Sequence, residues 1–168
     1  GISGNGQAEL LSLLSGEQIS KKGSIVFQGV DISLQSAGLR RDQGLGFVPE
    51  ERLGRGAVPN MTLSQNGLLT AFRKGLSDWG LINFTKMRAF AEQCIEKFGV
   101  KASGADAEAR SLSGGNLQKF IVGREILQNP KVLIVSQPTW GVDVGAAMFI
   151  RQTLIDLSRQ GVAILVIS

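Results

Sequence analysis

Two glycine-rich segments of this 168-residue chain have residue types and spacing that suit phosphate binding. The first is the opening run GISGNGQAE, whose glycines are spaced as in loops that bind phosphate through backbone N–H groups before a helix. A working loop of this kind continues with a lysine and then a serine or threonine, but Gln7 and Ala8 occupy these positions. Glu9 adds a negative charge close to where phosphates would lie. Taken alone, this segment is a weak match, and a plain glycine-rich turn explains it better.

The second segment reads LSGGN at residues 112–116 and is more specific. Two glycines let the backbone approach a polyphosphate, the Ser113 hydroxyl can donate to a phosphate oxygen, and a helix N-terminus supplies a positive dipole. The alternative is an ordinary serine N-cap followed by a glycine turn. Both interpretations predict that a helix follows this loop, over about residues 116–128.

The pattern of apolar residues places these loops on an α/β scaffold. Continuous apolar runs predict buried strands at residues 45–48, 132–135 and 162–167, and the last two are separated by a helical pattern at 145–160. A strand, helix and strand in this order imply a parallel sheet with a right-handed crossover. Further helices are predicted after the first loop up to Gly16, at 36–42, and over most of 62–100, with a β-rich segment at 23–27 and a turn at 29–31.

Composition excludes several classes of protein. Hydrophobic residues make up 43% of the chain and charged residues 19%, a balance typical of a globular domain, and no apolar run approaches the roughly 20 residues of a membrane span. The formal net charge is +4, but the basic residues are dispersed, so the charge pattern does not favour nucleic acid. Cys94 lies at helical spacing from Phe90 and Phe98 and is predicted to be a core residue.

The order of the motifs along the chain resembles an ABC-type ATPase. Residues 112–119 carry the ABC signature, residues 46–50 resemble the strand that enters the Q-loop, and residues 61–66 resemble the segment that opens the helical subdomain. Residues 136–139 resemble the Walker B segment, and residues 140–143 resemble the D-loop with its aspartate, Asp143. Within the superfamily the combination looks most like the degenerate second half of a duplicated simple-sugar or nucleoside importer ATPase.

The resemblance implies a P-loop NTPase-like core with a partial, mostly parallel sheet and an inserted helical subdomain. It divides one domain into a core segment at 1–60, a helical subdomain at 61–115 that ends in the signature loop, and a core βαβ segment at 116–168. The nucleotide-binding positions that the resemblance implies are these: Gly4, Asn5, Gly6, Gln7, Ala8 and Glu9 in the degenerate Walker A loop, Glu50 at the Q-loop position, Ser113, Gly114, Gly115 and Asn116 in the signature, and Asp143.

The catalytic positions of that family are substituted here. Ser136 stands at the Walker B aspartate position and Gln137 at the catalytic glutamate position, and a glutamine cannot act as a base at neutral pH. Ser136 and Ala8 together remove two expected anchors for magnesium. We therefore expect no catalytic residue and no metal ligand in this chain's own site, with weak or absent binding of ATP and Mg²⁺ there.

The family resemblance also implies partners. ABC nucleotide-binding domains pair head to tail, so the signature loop would act on ATP held by a second ABC ATPase half. Transmembrane permease subunits and, through the complex, a solute-binding protein would complete an importer on the cytoplasmic face of the membrane. Trp79 and Phe84 are candidate exposed contacts with the permease. Two alternatives remain open, a structural or regulatory module without catalysis and a non-transport ABC protein that acts on nucleic acid.

The ends of the chain carry one further expectation. The strand that feeds the first loop and the switch-histidine position lie outside residues 1–168. We therefore expect a sheet with missing members, whose apolar surface would favour self-association or modest stability.

Overall fold

The computed structural model describes residues 5–168, with helices on both faces of a parallel sheet. The described helices are α1 (Gln7–Ser15), α2 (Ala37–Asp42), α3 (Leu63–Ala71), α4 (Phe84–Lys97), α5 (Gly114–Ile126) and α6 (Val144–Arg159). The described strands are β1 (Val26–Phe27), β2 (Val30–Asp31), β3 (Leu45–Val48), β4 (Ser77–Asp78), β5 (Leu81–Ile82), β6 (Val132–Ser136) and β7 (Ala163–Ile167). None of the described helices combines the length and the apolar character that a membrane span requires.

Strand β6 is the centre of a three-stranded sheet in the order β3-β6-β7. Both pairings are parallel, and Val132 is the partner of Leu45 on one side and of Ala163 on the other. Alternate residues of a strand point to opposite faces, so Leu133 and Val135 join one apolar cluster and Ile134 joins the other. The α/β fold class with a parallel sheet is confirmed, and helix α6 connects β6 to β7; the right-handed sense of this connection stays a prediction.

Helix α5 packs in the middle of the larger apolar cluster. Its Phe120, Ile121 and Val122 are almost completely buried, and the cluster extends from Val48 through helices α3 and α4 to α6. One continuous core therefore includes residues from all three segments into which the sequence was divided. The boundaries at 60 and 115 stay an interpretation of the motif order.

Two β-hairpins were not predicted. Residues 29–31 were expected to form a turn, but Val30–Asp31 pairs antiparallel with Val26–Phe27 around the turn residues Gln28 and Gly29, at φ 50° and 80°. The same arrangement occurs within the stretch expected to be helical, where Trp79 and Gly80, at φ 56° and 82°, connect β4 and β5. Two consecutive positive φ angles are typical of the tight hairpin turn whose twist matches its strands. Strands of two residues are too short for a periodicity argument to detect.

A buried ion network fixes the end of α5 to three other parts of the chain. The Arg124 guanidinium donates to the carbonyls of Asn66 (3.0 Å) and Gly56 (2.9 Å), and it contacts the buried Glu125 carboxylate at 3.2 Å. Glu125 also pairs with Arg41 of helix α2 at 2.5 Å. Buried charges require such partners, and the loss of one partner from a buried pair is strongly destabilising.

The predicted apolar face of α4 is confirmed at Met87, Cys94 and Phe98, which are buried. Burial raises the pKa of the Cys94 thiol to about 12, so this side chain is a core residue at neutral pH. Phe98 and Cys94 lie against Gly123 of α5: a Cβ atom at Gly123 would be 2.4 Å from a Phe98 ring carbon and 3.0 Å from the Cys94 sulfur. The glycine lets two helices approach closely.

We expect Gly123→Ala to destabilise the fold because the added methyl group overlaps the Phe98 ring, at a cost of about 1–3 kcal/mol. Gly38→Ala is the matched control: Gly38 is exposed in α2, a Cβ atom there meets nothing within 4 Å, and alanine favours the helix. Urea unfolding should give a lower midpoint for Gly123→Ala and an equal or higher midpoint for Gly38→Ala. Equal midpoints for the two variants would contradict the packing described here.

Candidate functional site

The carboxyl ends of β3 and β6 and the start of α1 enclose one cleft of about 250 Å³. Ligands of open parallel α/β sheets bind at this edge of the sheet. The cleft brings together five residues that the sequence predicted for a nucleotide site and both substituted catalytic positions. Its lining residues are Gly6, Gln7, Ala8, Glu9, Leu11, Phe47, Pro49, Glu50, Arg55, Ser136, Gln137 and Ile167. Asn5 is exposed beside it, and Gly4 lies outside the described residues.

The start of α1 is a poor anion site. Gly6 precedes the helix at φ 80°, its carbonyl accepts the Leu10 N–H at 2.9 Å, and no side chain within residues 5–168 caps the helix. The free N–H groups and the helix dipole favour an anion at this end. Glu9 in the first turn already supplies a negative charge, however, and Gln7 offers no cation. The helix therefore offers a phosphate only its backbone.

The charges of the cleft are unfavourable for a polyphosphate. Glu9 and Glu50 face it together with one cation, Arg55, so the described lining carries a formal charge of −1. The Arg55 guanidinium is already engaged with the Glu17 carboxylate at 2.5 Å. Arg55 was missed by the sequence analysis, because nothing in the local pattern ERLGRG shows which arginine turns toward the cleft.

The end of β6 carries Ser136 and Gln137, the two residues that the sequence analysis placed at substituted catalytic positions. Ser136 is 2% exposed as the last residue of the strand. Gln137 has φ 45°, its N–H donates to the Ile167 carbonyl at 2.8 Å, and its carbonyl accepts the Trp140 N–H at 3.1 Å. These bonds fix a sharp turn from the strand toward the D-loop.

A magnesium ion does not fit this set of residues. Mg²⁺ prefers charged or strongly polar oxygen ligands in an octahedral arrangement. Ala8 offers none, and Ser136 and Gln137 offer only a neutral hydroxyl and a neutral amide. Glu9 and Glu50 are the two charged oxygen donors among the described lining residues. No group of three or more histidine, cysteine or acidic side chains within residues 5–168 is placed to hold a metal.

The signature loop, residues 112–116, lies apart from the cleft, and none of its residues lines it. Helix α5 begins at Gly114, two residues before the predicted start. Ser113 is the exposed N-cap, and its Oγ accepts the backbone N–H of Asn116 at 3.4 Å and the Asn116 side-chain amide at 2.9 Å. The Asn116 side-chain oxygen Oδ1 accepts the backbone N–H of Lys101 at 2.9 Å. Asn116 thus orients Ser113, whose own proton has no acceptor among the described residues.

The D-loop supports the signature loop. Asp143 caps helix α6, because its Oδ1 accepts the Ala146 N–H at 2.9 Å. A Cβ atom at Gly115 would be 2.8 Å from Asp143 Oδ2 and 3.0 Å from Ala146 Cβ. The N-termini of α5 and α6 therefore touch, and only glycine fits at position 115. The sequence predicted both segments, but their direct contact is a long-range feature that it does not show.

Asp143→Ala should lower the unfolding free energy by about 1 kcal/mol, the typical cost of removing an N-cap side chain. Asp143→Asn is the matched control, because its amide oxygen can accept the same N–H and should keep most of the stability. Thermal unfolding of the two variants measures the difference. If the asparagine variant lost as much stability as the alanine variant, the carboxylate would act by its charge and not as the cap.

Comparison with known proteins identifies relatives over the whole chain. The family model described as ABC transporter matches residues 1–140. The nucleoside import ATP-binding protein NupA of Lactococcus lactis subsp. cremoris is 43% identical over 169 residues, and the ribose import ATP-binding protein RbsA of Halalkalibacterium halodurans is 36% identical over 169 residues. Each alignment covers 100% of this chain but 33% and 34% of the relative. The chain thus spans about a third of the length of the curated relatives it matches.

Solved structures share the fold. The dimeric post-hydrolysis structure of the ATP-binding cassette MJ0796 bound to ADP and Pi has a TM-score of 0.80 at 22% identity, covering 99% of this chain and 71% of that chain. A nucleotide-free ATP-binding cassette from an ABC transporter has a TM-score of 0.74 at 23% identity, covering 99% and 67%. These likenesses confirm the predicted ABC ATPase fold. With a family match over 140 residues and relatives along its full length, the chain belongs to the ABC transporter family.

Proposed function

We propose that this chain is part of the ATP-binding component of an importer for sugars or nucleosides. In this proposal its signature loop completes the ATP site of a second ATPase half, and its own cleft does not hydrolyse ATP. The relatives that are named as nucleoside and ribose import ATP-binding proteins support the transport class. Membrane permease subunits are the expected further partners, on the cytoplasmic face of the membrane.

One contrast carries the proposal. The signature loop is complete and its Ser113 is exposed, whereas the cleft of the same chain lacks the lysine, the hydroxyl and both acidic positions of a hydrolytic site. A loop and a cleft that served one ATP molecule would not be expected to lie apart on the surface. If two halves pair, and the signature loop of this half acts on ATP bound by the other half, both the complete loop and the substituted cleft are explained. A solved relative in fold is described as a dimer bound to ADP and Pi, which supports pairing.

Several features of the loop favour donation in trans, that is, donation of a hydrogen bond by this chain to the ATP molecule held by the second half; we call this trans-donation. Two amide groups hold the Ser113 oxygen, so its proton can be donated outward to a γ-phosphate oxygen. Gly114 and Gly115 begin α5, whose first N–H groups and dipole favour an anion. Because Gly115 is fixed against Asp143, the loop is held in place before a nucleotide arrives. Such preorganised donors are the main source of electrostatic stabilisation in transition states.

The permease contact is proposed for the β4–β5 hairpin and the start of α4. Trp79 is fully exposed, Phe84 is 70% exposed and Leu81 is 76% exposed. Exposed large apolar side chains that lie close together mark interaction sites more often than scattered single ones. These residues belong to the helical segment that follows the Q-loop position, which the family resemblance assigns to contacts with the permease.

Ser113→Arg in the whole protein that contains this chain should reduce ATP turnover at least about a hundredfold, because it removes a phosphate donor and fills its space. Ser158→Arg is the matched control: it makes the same exchange at an exposed position near the end of α6 and should keep full turnover. ATP binding and thermal unfolding, measured for both, show that the variants are folded. Unchanged turnover in folded Ser113→Arg would refute trans-donation.

The weak cleft makes a second prediction. Gln7→Lys combined with Ala8→Thr restores a cation and a hydroxyl at the start of α1. We expect Mg-ATP to bind this cleft at least about tenfold more tightly in the double variant, because a charge pair at 4 Å near a surface contributes up to about 4 kcal/mol. The exposed substitution Gln160→Lys adds the same charge far from the cleft and serves as the control. Titration is carried out with the partner half's own phosphate loop inactivated. Equal affinity in all variants would mean that these two substitutions do not limit binding.

A further inference from the structure

Arg52 connects the D-loop to the signature loop, which in the proposed function acts on ATP held by the second half. It lies two residues after Glu50, and its guanidinium reaches across to the D-loop, where Nη1 donates to the Trp140 carbonyl and Nη2 to the Gly141 carbonyl at 3.4 Å. Among the described residues no other side chain donates to these two carbonyls. Gly141 itself has φ 60°, so this part of the D-loop is an irregular turn that needs external support.

The same guanidinium lies against the signature loop. A Cβ atom at Gly114 would be 3.4 Å from the Gly141 carbonyl oxygen and 3.6 Å from Arg52 Nη2, and one at Gly141 would be 3.1 Å from Arg52 Nη2. Arg52, Gly141 and Gly114 therefore lie next to one another, and a side chain at either glycine would contact the guanidinium. The forked guanidinium suits this position, because one group can donate to two carbonyls.

The charge of Arg52 is also not neutralised by an ion pair within residues 5–168. It lies beside the N-terminus of α5, which carries a partial positive charge of its own. The fixed cation and the helix dipole add at Gly114, whereas the Asp143 carboxylate at Gly115 is engaged as the cap of α6, so the positive charge of the signature loop is on its Gly114 side. A partner's bound polyphosphate is the ligand class that fits such a surface.

We infer that Arg52 is a positioning residue for the partner's ATP: it locks the D-loop onto the signature loop and adds positive charge behind Ser113. The inference rests on the proposed function, and it assigns a role to Arg52, which the sequence analysis left without one. Arg52 does not touch the nucleotide itself. Its effect is therefore expected on the rate of hydrolysis and not on the first binding of ATP by the partner half.

The test uses the whole protein with Arg52→Gln, Arg52→Lys and the control Arg159→Gln, which removes an equally charged side chain from the exposed end of α6. We expect kcat to fall about tenfold or more in Arg52→Gln, since small misplacements of catalytic groups have effects of this size, with KM for ATP changed less than about twofold. Arg52→Lys should recover part of the loss, because it restores the charge without the fork. Arg159→Gln should keep kcat.

Two outcomes would overturn the inference while trans-donation stands. The first is a kcat within twofold of that of the parent protein in folded Arg52→Gln. The second is a loss of kcat in Arg52→Gln that is accompanied by a lower unfolding midpoint and is equally large in Arg52→Lys. If Ser113→Arg also left turnover unchanged, the proposed function itself would fail. The two substitutions thus separate a failure of the positioning role from a failure of the function on which it rests.

Discussion

The burial of helix α5 is the constraint on which the rest of the structure depends. Its middle packs among the strands and the helices of the larger core, and its end is fixed by the buried Arg124–Glu125 pair. Its beginning is exposed, and there Ser113 and Gly114 stand at the surface. A loop at the start of such a helix cannot shift without disturbing the core. The rigidity that the proposed phosphate contact needs is thus a consequence of packing.

The signature loop and the cleft differ in how well their local contacts suit a phosphate group. The signature loop is organised by hydrogen bonds of Ser113 and Asn116, by the contact of Gly115 with Asp143, and by Arg52. The cleft keeps the fold of a nucleotide site, since α1, β3 and β6 converge there, but its charges oppose a polyphosphate. A protein that pairs with a complete second half can lose the chemistry of one cleft while it keeps the loop that serves the other.

The sequence predicts much of this arrangement and misses what depends on distant contacts. Strands β3, β6 and β7 follow from apolar runs, and the signature and D-loop segments follow from glycine, serine and aspartate at helix starts. The β4–β5 hairpin at Trp79 was not predicted, because a strand of two residues is too short to show an alternating apolar pattern. Arg52 and Arg55 look alike in ERLGRG, yet one supports the D-loop 88 residues away and the other lines the cleft. Only the structure distinguishes the roles of Arg52 and Arg55, because the groups that they contact belong to distant parts of the chain.

The central claim, that residues 112–116 act on ATP held by another ATPase half, is tested most directly by photo-crosslinking. An ATP analogue with a photoreactive group on its γ-phosphate is bound to the whole protein, irradiated, and located by mass spectrometry after trypsin digestion, which releases residues 111–119 as one peptide. We expect labelling of this peptide that is lost when the partner half's phosphate loop is inactivated. Labelling confined to the segment around Gln7, or labelling of residues 111–119 that persists without the partner's loop, would contradict it.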